Sequence, residues 1–147
     1  MGDLRRTVVE RHYKDVADKN YDRIREHMHE DVVTTMPGAG EMRGADAFIG
    51  YAQNFFTALP DAHMEVHAIV EEGDTVIAVG EFVGTHTGPL ATPDGQQVPA
   101  TGRSIALPFA DFFKIEGDRV KTHKVYFDQA TLMEQLGLVP QAAAAGR

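Results

Sequence analysis

Near residue 60 the spacing of apolar side chains changes from about four to two, dividing the chain into a helical first part and a stranded second part. Residues 3–18 place Leu4, Val8, Val9, His12/Tyr13 and Val16 at helical intervals. Asp22 is positioned to cap a second helix running to about His29. A β-branched stretch, Asp31-Val-Val-Thr-Thr, reads as a strand that stops at Met36-Pro37-Gly38. A third helix, 45–59, sets Phe48, Tyr51, Ala52, Phe55 and Leu59 on one face and ends at Leu59-Pro60-Asp61.

Beyond that point the pattern alternates. In 63–71, Met64, Val66, Ala68 and Val70 share one face, with His63, Glu65, His67 and Glu71 largely on the other. Glu71-Glu72-Gly73-Asp74 turns into a long strand, 75–87. The segment Gly88–Gly102 is loop-like, rich in proline and glycine. A second hairpin, 103–115 and 119–128, turns at Glu116-Gly117-Asp118, and a short helix, 129–136, closes at Gly137. Helices first and hairpins afterwards predict an α+β fold, with helices packed on one face of a curved antiparallel sheet and a cavity between them.

A length of 147 residues suits one domain, 1–139, followed by a loose tail, 140–147. The net charge of -8, without a basic cluster, argues against nucleic acid as a partner. The absence of cysteine excludes disulfides and thiolate metal or nucleophile sites. No run approaches the ~20 apolar residues of a membrane span, and the first residues lack the apolar core of a signal peptide, so a cytoplasmic location is expected.

The strand 103–115 carries the most informative chemistry. Its odd positions read Ile105, Leu107, Phe109, Asp111, Phe113 and Ile115, an apolar row interrupted by one carboxylate. Burial there would favour the neutral form of Asp111 and make it a proton carrier near neutral pH. A three-residue turn at 116–118 sets Asp111 directly opposite His123, an acid/base dyad with Cβ atoms ~5 Å apart. A two-residue turn would pair it with Lys124 instead, and a satisfied core carboxylate is the bland alternative. Asp128 is a second carboxylate candidate, although its place before Gln129 suits a helix cap.

His86 shares a parity with Val76, Ala78, Gly80 and Phe82 and would face the cavity if the first hairpin keeps register. Gly80 would either open cavity volume or mark a bulge. Tyr13, Tyr51, Asn54 and Tyr126 are possible hydrogen-bond donors to a substrate carbonyl, with packing or surface as the alternative for each. Met28, Met36, Met42, Phe55 and Phe109 would line a cavity or simply fill the core. Gly38-Ala-Gly-Glu-Met-Arg-Gly44 is one residue too long for a dinucleotide loop and reads as a flexible rim. His63 and His67 sit on the polar face of a strand, and His27 and His29 point to different sides of a short helix, so no metal site is expected.

The helical opening, Gly84-Thr-His-Thr-Gly88, and the close Tyr126-Phe-Asp-Gln-Ala-Thr-Leu-Met-Glu-Gln-Leu-Gly137 resemble the SnoaL-like polyketide cyclases. These belong with nuclear transport factor 2 and ketosteroid isomerase. The resemblance implies a cone-shaped α+β barrel, a homodimer formed through the sheet, and no cofactor or metal. It also implies closure of a hydrophobic, oxygenated polyketide by intramolecular aldol chemistry. The cyclases' last-strand acid/base Asp falls at Val125, and their preceding-strand histidine at Asp111, while His123 matches a last-strand histidine. The isomerase base falls near Met36.

The reading that follows is an acid/base enzyme built on Asp111 and His123, with Tyr13, Tyr51, Phe55, His86, Phe109 and Val125 against the substrate. Epoxide opening is weaker, because Arg103 is the one arginine on the relevant strand. A non-catalytic ligand-binding or dimerisation domain is the rival from another class.

Overall fold

The computed structural model describes residues 2–91 and 95–138. The expected tail at 140–147 lies outside the described residues.

Three helices and a hairpin come first: α1 (Gly2–Ala17), α2 (Tyr21–His27), β1 (Met28–Met36), β2 (Gly40–Arg43) and α3 (Ala45–Ala58). Asn20, not Asp22, caps α2, its side chain accepting from the Arg23 N–H. The helix stops at His27, and β1 begins three residues earlier than the β-branched run alone suggests. The glycine-rich stretch expected as a flexible rim holds strand β2, paired antiparallel with β1 from Val33↔Arg43 to Met36↔Gly40. The long strands follow as β3 (His63–Glu72), β4 (Thr75–Thr85), β7 (Ser104–Glu116) and β8 (Arg119–Phe127). Between β4 and β7, the expected loop holds the small hairpin strands β5 (Leu90–Ala91) and β6 (Gln97–Val98). Helix α4 (Gln129–Gln135) closes the fold.

The main sheet runs β2-β1-β8-β7-β4-β3. It is curved and mixed, because β1 and β8 pair in parallel, and it does not close into a barrel. The expected antiparallel sheet is therefore corrected at that one junction: β1 is followed by α3 and three further long strands before β8 arrives beside it. Helix α1 crosses the concave face and packs on β3, β4, β7 and β8. Phe113, fully buried beneath it, is among the largest core side chains. Burial of a phenylalanine of this kind contributes about 1.5–3 kcal/mol.

Two bulges decide which residues look inward. In β3 the register shifts between Val66 and Ala68, so Ile69 turns inward and Val70 is left 59% exposed, opposite to the uninterrupted alternation. Gly80 sits against this bulge. A Cβ there would lie 1.9 Å from the Glu65 carbonyl oxygen, so the glycine admits neighbouring backbone rather than enlarging the cavity. In the β7–β8 hairpin, Glu116 pairs with Arg119, Ile115 with Val120, and Lys114 with Thr122. Lys121 is the extra residue. Because it is left outside the ladder as a bulge, His123, Val125 and Phe127 keep to the concave face.

Candidate active site

A cavity of about 110 Å³ lies within an empty space of about 840 Å³ that includes its open mouth. Helix α3 supplies Phe48, Tyr51, Ala52, Phe55 and Phe56, and the sheet supplies Met64, Phe82, Leu107, Phe109, Val125 and Phe127. Half-exposed Phe56 and exposed Ala17 and His63 mark the rim. The walls are almost wholly apolar. Polar groups gather at the floor, where His12 and Tyr13 of α1 meet Asp111 of β7 and His123 of β8.

Asp111 is 1% exposed and His123 is 3% exposed. The expected contact between them exists, but not by the expected pairing. Asp111 stands opposite Val125, and His123 opposite Phe113, because the two-residue turn and the Lys121 bulge together displace β8. The two side chains meet diagonally, with His123 Nε2 at 3.6 Å from Asp111 Oδ1. The Phe113 ring stacks on the His123 imidazole at 4.3 Å between centroids and an interplanar angle of 14°, which fixes the plane of the imidazole. Small Ala78 faces Asp111 from β4 and leaves space beside the carboxylate.

The Tyr13 hydroxyl donates to Asp111 Oδ2. Burial, reinforced by the Asp111 charge and this hydrogen bond, pushes the Tyr13 hydroxyl far above its ordinary range, so it remains a protonated donor. One carboxylate oxygen is thus held. The other, Oδ1, has no hydrogen-bond partner, and neither has His123 Nδ1 or Nε2. Leaving such groups buried and unpaired costs about 1–3 kcal/mol each, so their clustering on a cavity floor marks a place where a polar ligand atom fits. Tyr51, above them, is pushed up to about 12 by burial and is likewise a neutral donor.

Tyr13, Tyr51, Phe55, Phe109, Asp111, His123 and Val125 therefore line one space, as does Met36. Asp128 and His86 do not. Asp128 is exposed and caps α4, accepting from the Ala130 N–H at 3.0 Å and the Thr131 hydroxyl at 2.9 Å. His86 lies one residue beyond β4, fully buried, with Nδ1 at 3.0 Å from the Thr101 hydroxyl and 3.2 Å from the Thr101 backbone N–H. It clamps the loop instead of facing substrate. Asn54 pairs with the backbone of Ala91 through both ends of its amide. Tyr126 is 54% exposed on the outer face, and Met28 and Met42 pack away from the cavity. Arg103 donates to the Gln135 carbonyl at 3.1 Å, away from Asp111, which removes the arginine that epoxide opening would use. His67 joins Glu65 and Glu81 on the outside of the sheet, an exposed acidic group in which Glu65 already binds His63.

His12 is the floor residue that the sequence reading passed over. It is 2% exposed, its ring packs edge-on against His123 at 5.4 Å, and its Nδ1 lies 3.0 Å from Nε2 of His27. Its signal was an ionisable group at an apolar position of a helical pattern. Burial, then His123, then His27, holds it well below the usual histidine range.

No curated protein sequence matches the chain. Its fold matches that of a protein from Jannaschia sp. CCS1 designated a SnoaL-like polyketide cyclase, at 20% identity, a TM-score of 0.82, and coverage of 95% of this chain and 94% of that one. IdmH from Streptomyces antibioticus, designated a polyketide cyclase, matches at 25% identity and a TM-score of 0.77 over 90% of this chain and 98% of its own. AclR from Streptomyces galilaeus, designated a hydroxylase, matches at 19% identity and a TM-score of 0.79 over 95% of this chain and all of its own. The model of the SnoaL-like polyketide cyclases matches residues 7–136, and the chain belongs to that family.

Proposed function

We propose that the cavity is the active site of a cofactor-independent acid/base catalyst acting on a small hydrophobic, oxygenated, polyketide-like molecule. The observation that carries this reading is the unpartnered trio at the floor: Asp111 Oδ1 and both nitrogens of His123. Asp111 Oδ1 removes a proton from a carbon next to a carbonyl, while Tyr13 holds the other oxygen. The resulting enolate carbon attacks a second carbonyl of the same chain, a C–C bond forms, and the electron pair of that carbonyl moves to its oxygen. That oxygen takes the proton back through His123. No atom is gained or lost. The aromatic walls fold the chain so that its reacting carbons meet. An apolar cavity of ~150 Å³ is known to take benzene, so this interior holds about one ring, with the remainder of the substrate at the mouth.

5-Nitrobenzisoxazole tests the base directly, since loss of its C–H proton opens the N–O bond to a coloured phenolate. Saturable turnover is expected, falling ~100-fold or more in Asp111→Asn with an unchanged circular dichroism spectrum. Equal turnover in the variant would remove Asp111 as the base.

A second reading rests on Val125, which occupies the position matched to the cyclases' acid/base carboxylate. On this reading the cavity binds without reacting. TerC, which shares the fold at 17% identity and a TM-score of 0.71, was co-crystallised with polyporic acid. Binding of polyporic acid to the present chain, without any turnover of the benzisoxazole, would favour the binder.

The same proposal includes a homodimer through the outer face of the sheet. Cross-strand rows there run Val70–Ile77–Phe112 and Ala68–Val79–Ala110–Tyr126, and Val70, Val79, Phe112 and Tyr126 are exposed. A contiguous apolar face on neighbouring strands supports a self-complementary partner.

A further inference from the structure

Three buried groups behind the cavity form a line that the reaction above does not use. His12 Nδ1 lies 3.0 Å from His27 Nε2. His27 Nδ1 lies 3.4 Å from Asp15 Oδ2, and Asp15 Oδ1 lies 3.7 Å from Nε of Arg23. Asp15, His27 and His12 are 4%, 6% and 2% exposed, whereas the Arg23 side chain is 58% exposed. The line therefore runs from the cavity floor, under α1 and α2, to the surface.

We propose that His12 is a further acid/base residue of this cavity, with His27 and Asp15 as positioning residues that fix its tautomer and leave Nε2 bare. The inference rests on the reading of the cavity as an active site.

The tautomers follow in order from the carboxylate. Asp15 Oδ2 and His27 Nδ1 stand 3.4 Å apart without a formed hydrogen bond, and neither atom has another partner. The carboxylate beside the Arg23 guanidinium is therefore the acceptor that favours a proton on Nδ1 of His27. A neutral His27 then presents a lone pair at Nε2. His12 must donate to it from Nδ1, which leaves the His12 Nε2 lone pair as the nitrogen available to the cavity. Two rings thereby transmit the orientation set by one carboxylate. Burial holds both His12 and His27 below the usual histidine range; His123 and His27 add to this for His12, while Asp15 opposes it for His27. Arg11 and Glu26 act on His27 from α1 and α2 with opposite signs. Tyr13 and Asp111 complete the ionisable groups at the floor.

When a proton reaches His12 Nε2, its Nδ1 proton passes to His27 Nε2, and the His27 Nδ1 proton passes to Asp15. The positive charge never rests on a ring enclosed by apolar walls. A return transfer restores both tautomers. The floor thus contains a third group able to exchange protons with a substrate, His12, beside Asp111 and His123.

Long-range proton–nitrogen NMR of the histidine-labelled full chain reads the tautomers without any substrate. Between pH 8 and 5.5, His12 is expected to stay neutral with its proton on Nδ1, and His27 is expected to carry its proton on Nδ1. A proton on His12 Nε2, or a protonated His12 near pH 6.5, would overturn the proposal. Asp15→Asn should convert the single His27 tautomer into a mixture; an unchanged tautomer would remove Asp15 as the anchor. With 5-nitrobenzisoxazole, His12→Gln should lower kcat ~10-fold or more and change the pH profile. A His12→Gln enzyme with wild-type kcat and profile would overturn the base role even if Asp111→Asn is inactive. Loss in His12→Gln with none in Asp111→Asn would instead overturn the Asp111 reading alone.

Discussion

The two faces of the β7–β8 hairpin carry opposite exceptions to the same solvation rule. On the concave face, Asp111 and His123 lie buried among Phe109, Phe113 and Val125. On the convex face, Phe112 and Tyr126 lie exposed among lysines 114 and 124, their rings 5.4 Å apart. A buried polar group and an exposed aromatic group are both costly unless something completes them. The inner exception asks for a polar ligand atom, and the outer one for another apolar surface. On the proposed reading, one hairpin separates chemistry from assembly by side-chain parity alone.

That separation can be broken from either side. The largest effect is expected at the inner face, where Asp111→Asn should lose about 10²–10⁴-fold of benzisoxazole turnover. The same substitution should leave the mass in solution, read by light scattering, unchanged. Next, Phe113→Ala removes the ring stacked on His123 and should destabilise the fold by about 3–5 kcal/mol in urea titrations. A loss near that of a surface position would mean that the stacking contributes little.

Acid should act through the inner face as well. His12 in the unfolded chain protonates near its ordinary 6.5, whereas the folded chain holds it lower. Between those two values the unfolded state binds more protons, so stability is fully present above pH 6.5 and falls as pH drops below it. The slope approaches about 1.4 kcal/mol per pH unit per such histidine, and His12→Gln should flatten the fall. Tyr13→Phe, which leaves Asp111 Oδ2 unpaired, should cost about 1–3 kcal/mol. The smallest change in stability is expected at the outer face. Phe112→Glu with Tyr126→Lys should alter it by about 0.5 kcal/mol or less, yet convert the proposed dimer into monomers without altering turnover. Reduced turnover in those monomers would show that the two faces are coupled.

Much of the inner face was legible in the sequence. A lone carboxylate in the row from Ile105 to Ile115 shares the parity of its apolar neighbours, and it faces inward with them because the pairing of β7 with β4 has no break. The partner of Asp111 was not fixed in this way, since register depends on the turn and on any bulge. Here a two-residue turn and the extra Lys121 moved the pairing past both His123 and Lys124 to Val125. Val70 and Ile69 exchanged faces for the same reason in β3. His86 is buried as its parity predicts, but it lies outside the cavity, with its Nδ1 taken up by Thr101 of the following loop, a contact that parity does not reveal. Asp128 was legible as a cap from its place before Gln129. His12 was hidden in plain sight at an apolar helical position, because its partner His27 is brought to it by the turn between two helices.

The Lys121 bulge has a further consequence for how this hairpin can change over evolutionary time. A bulge absorbs a one-residue change in length: deletion of Lys121 would leave Lys114 opposite Thr122 and Phe113 opposite His123, so the inner set of β8 would survive it. Drawing Lys121 into the ladder without shortening the chain would do the opposite, bringing Thr122 and Lys124 inward and turning His123 and Val125 out. The hairpin therefore tolerates a shorter chain at this point, but only one way of housing the residue that is there. Lineages descended from this chain should lose or replace residue 121 more freely than they gain or lose a residue between Thr122 and Phe127.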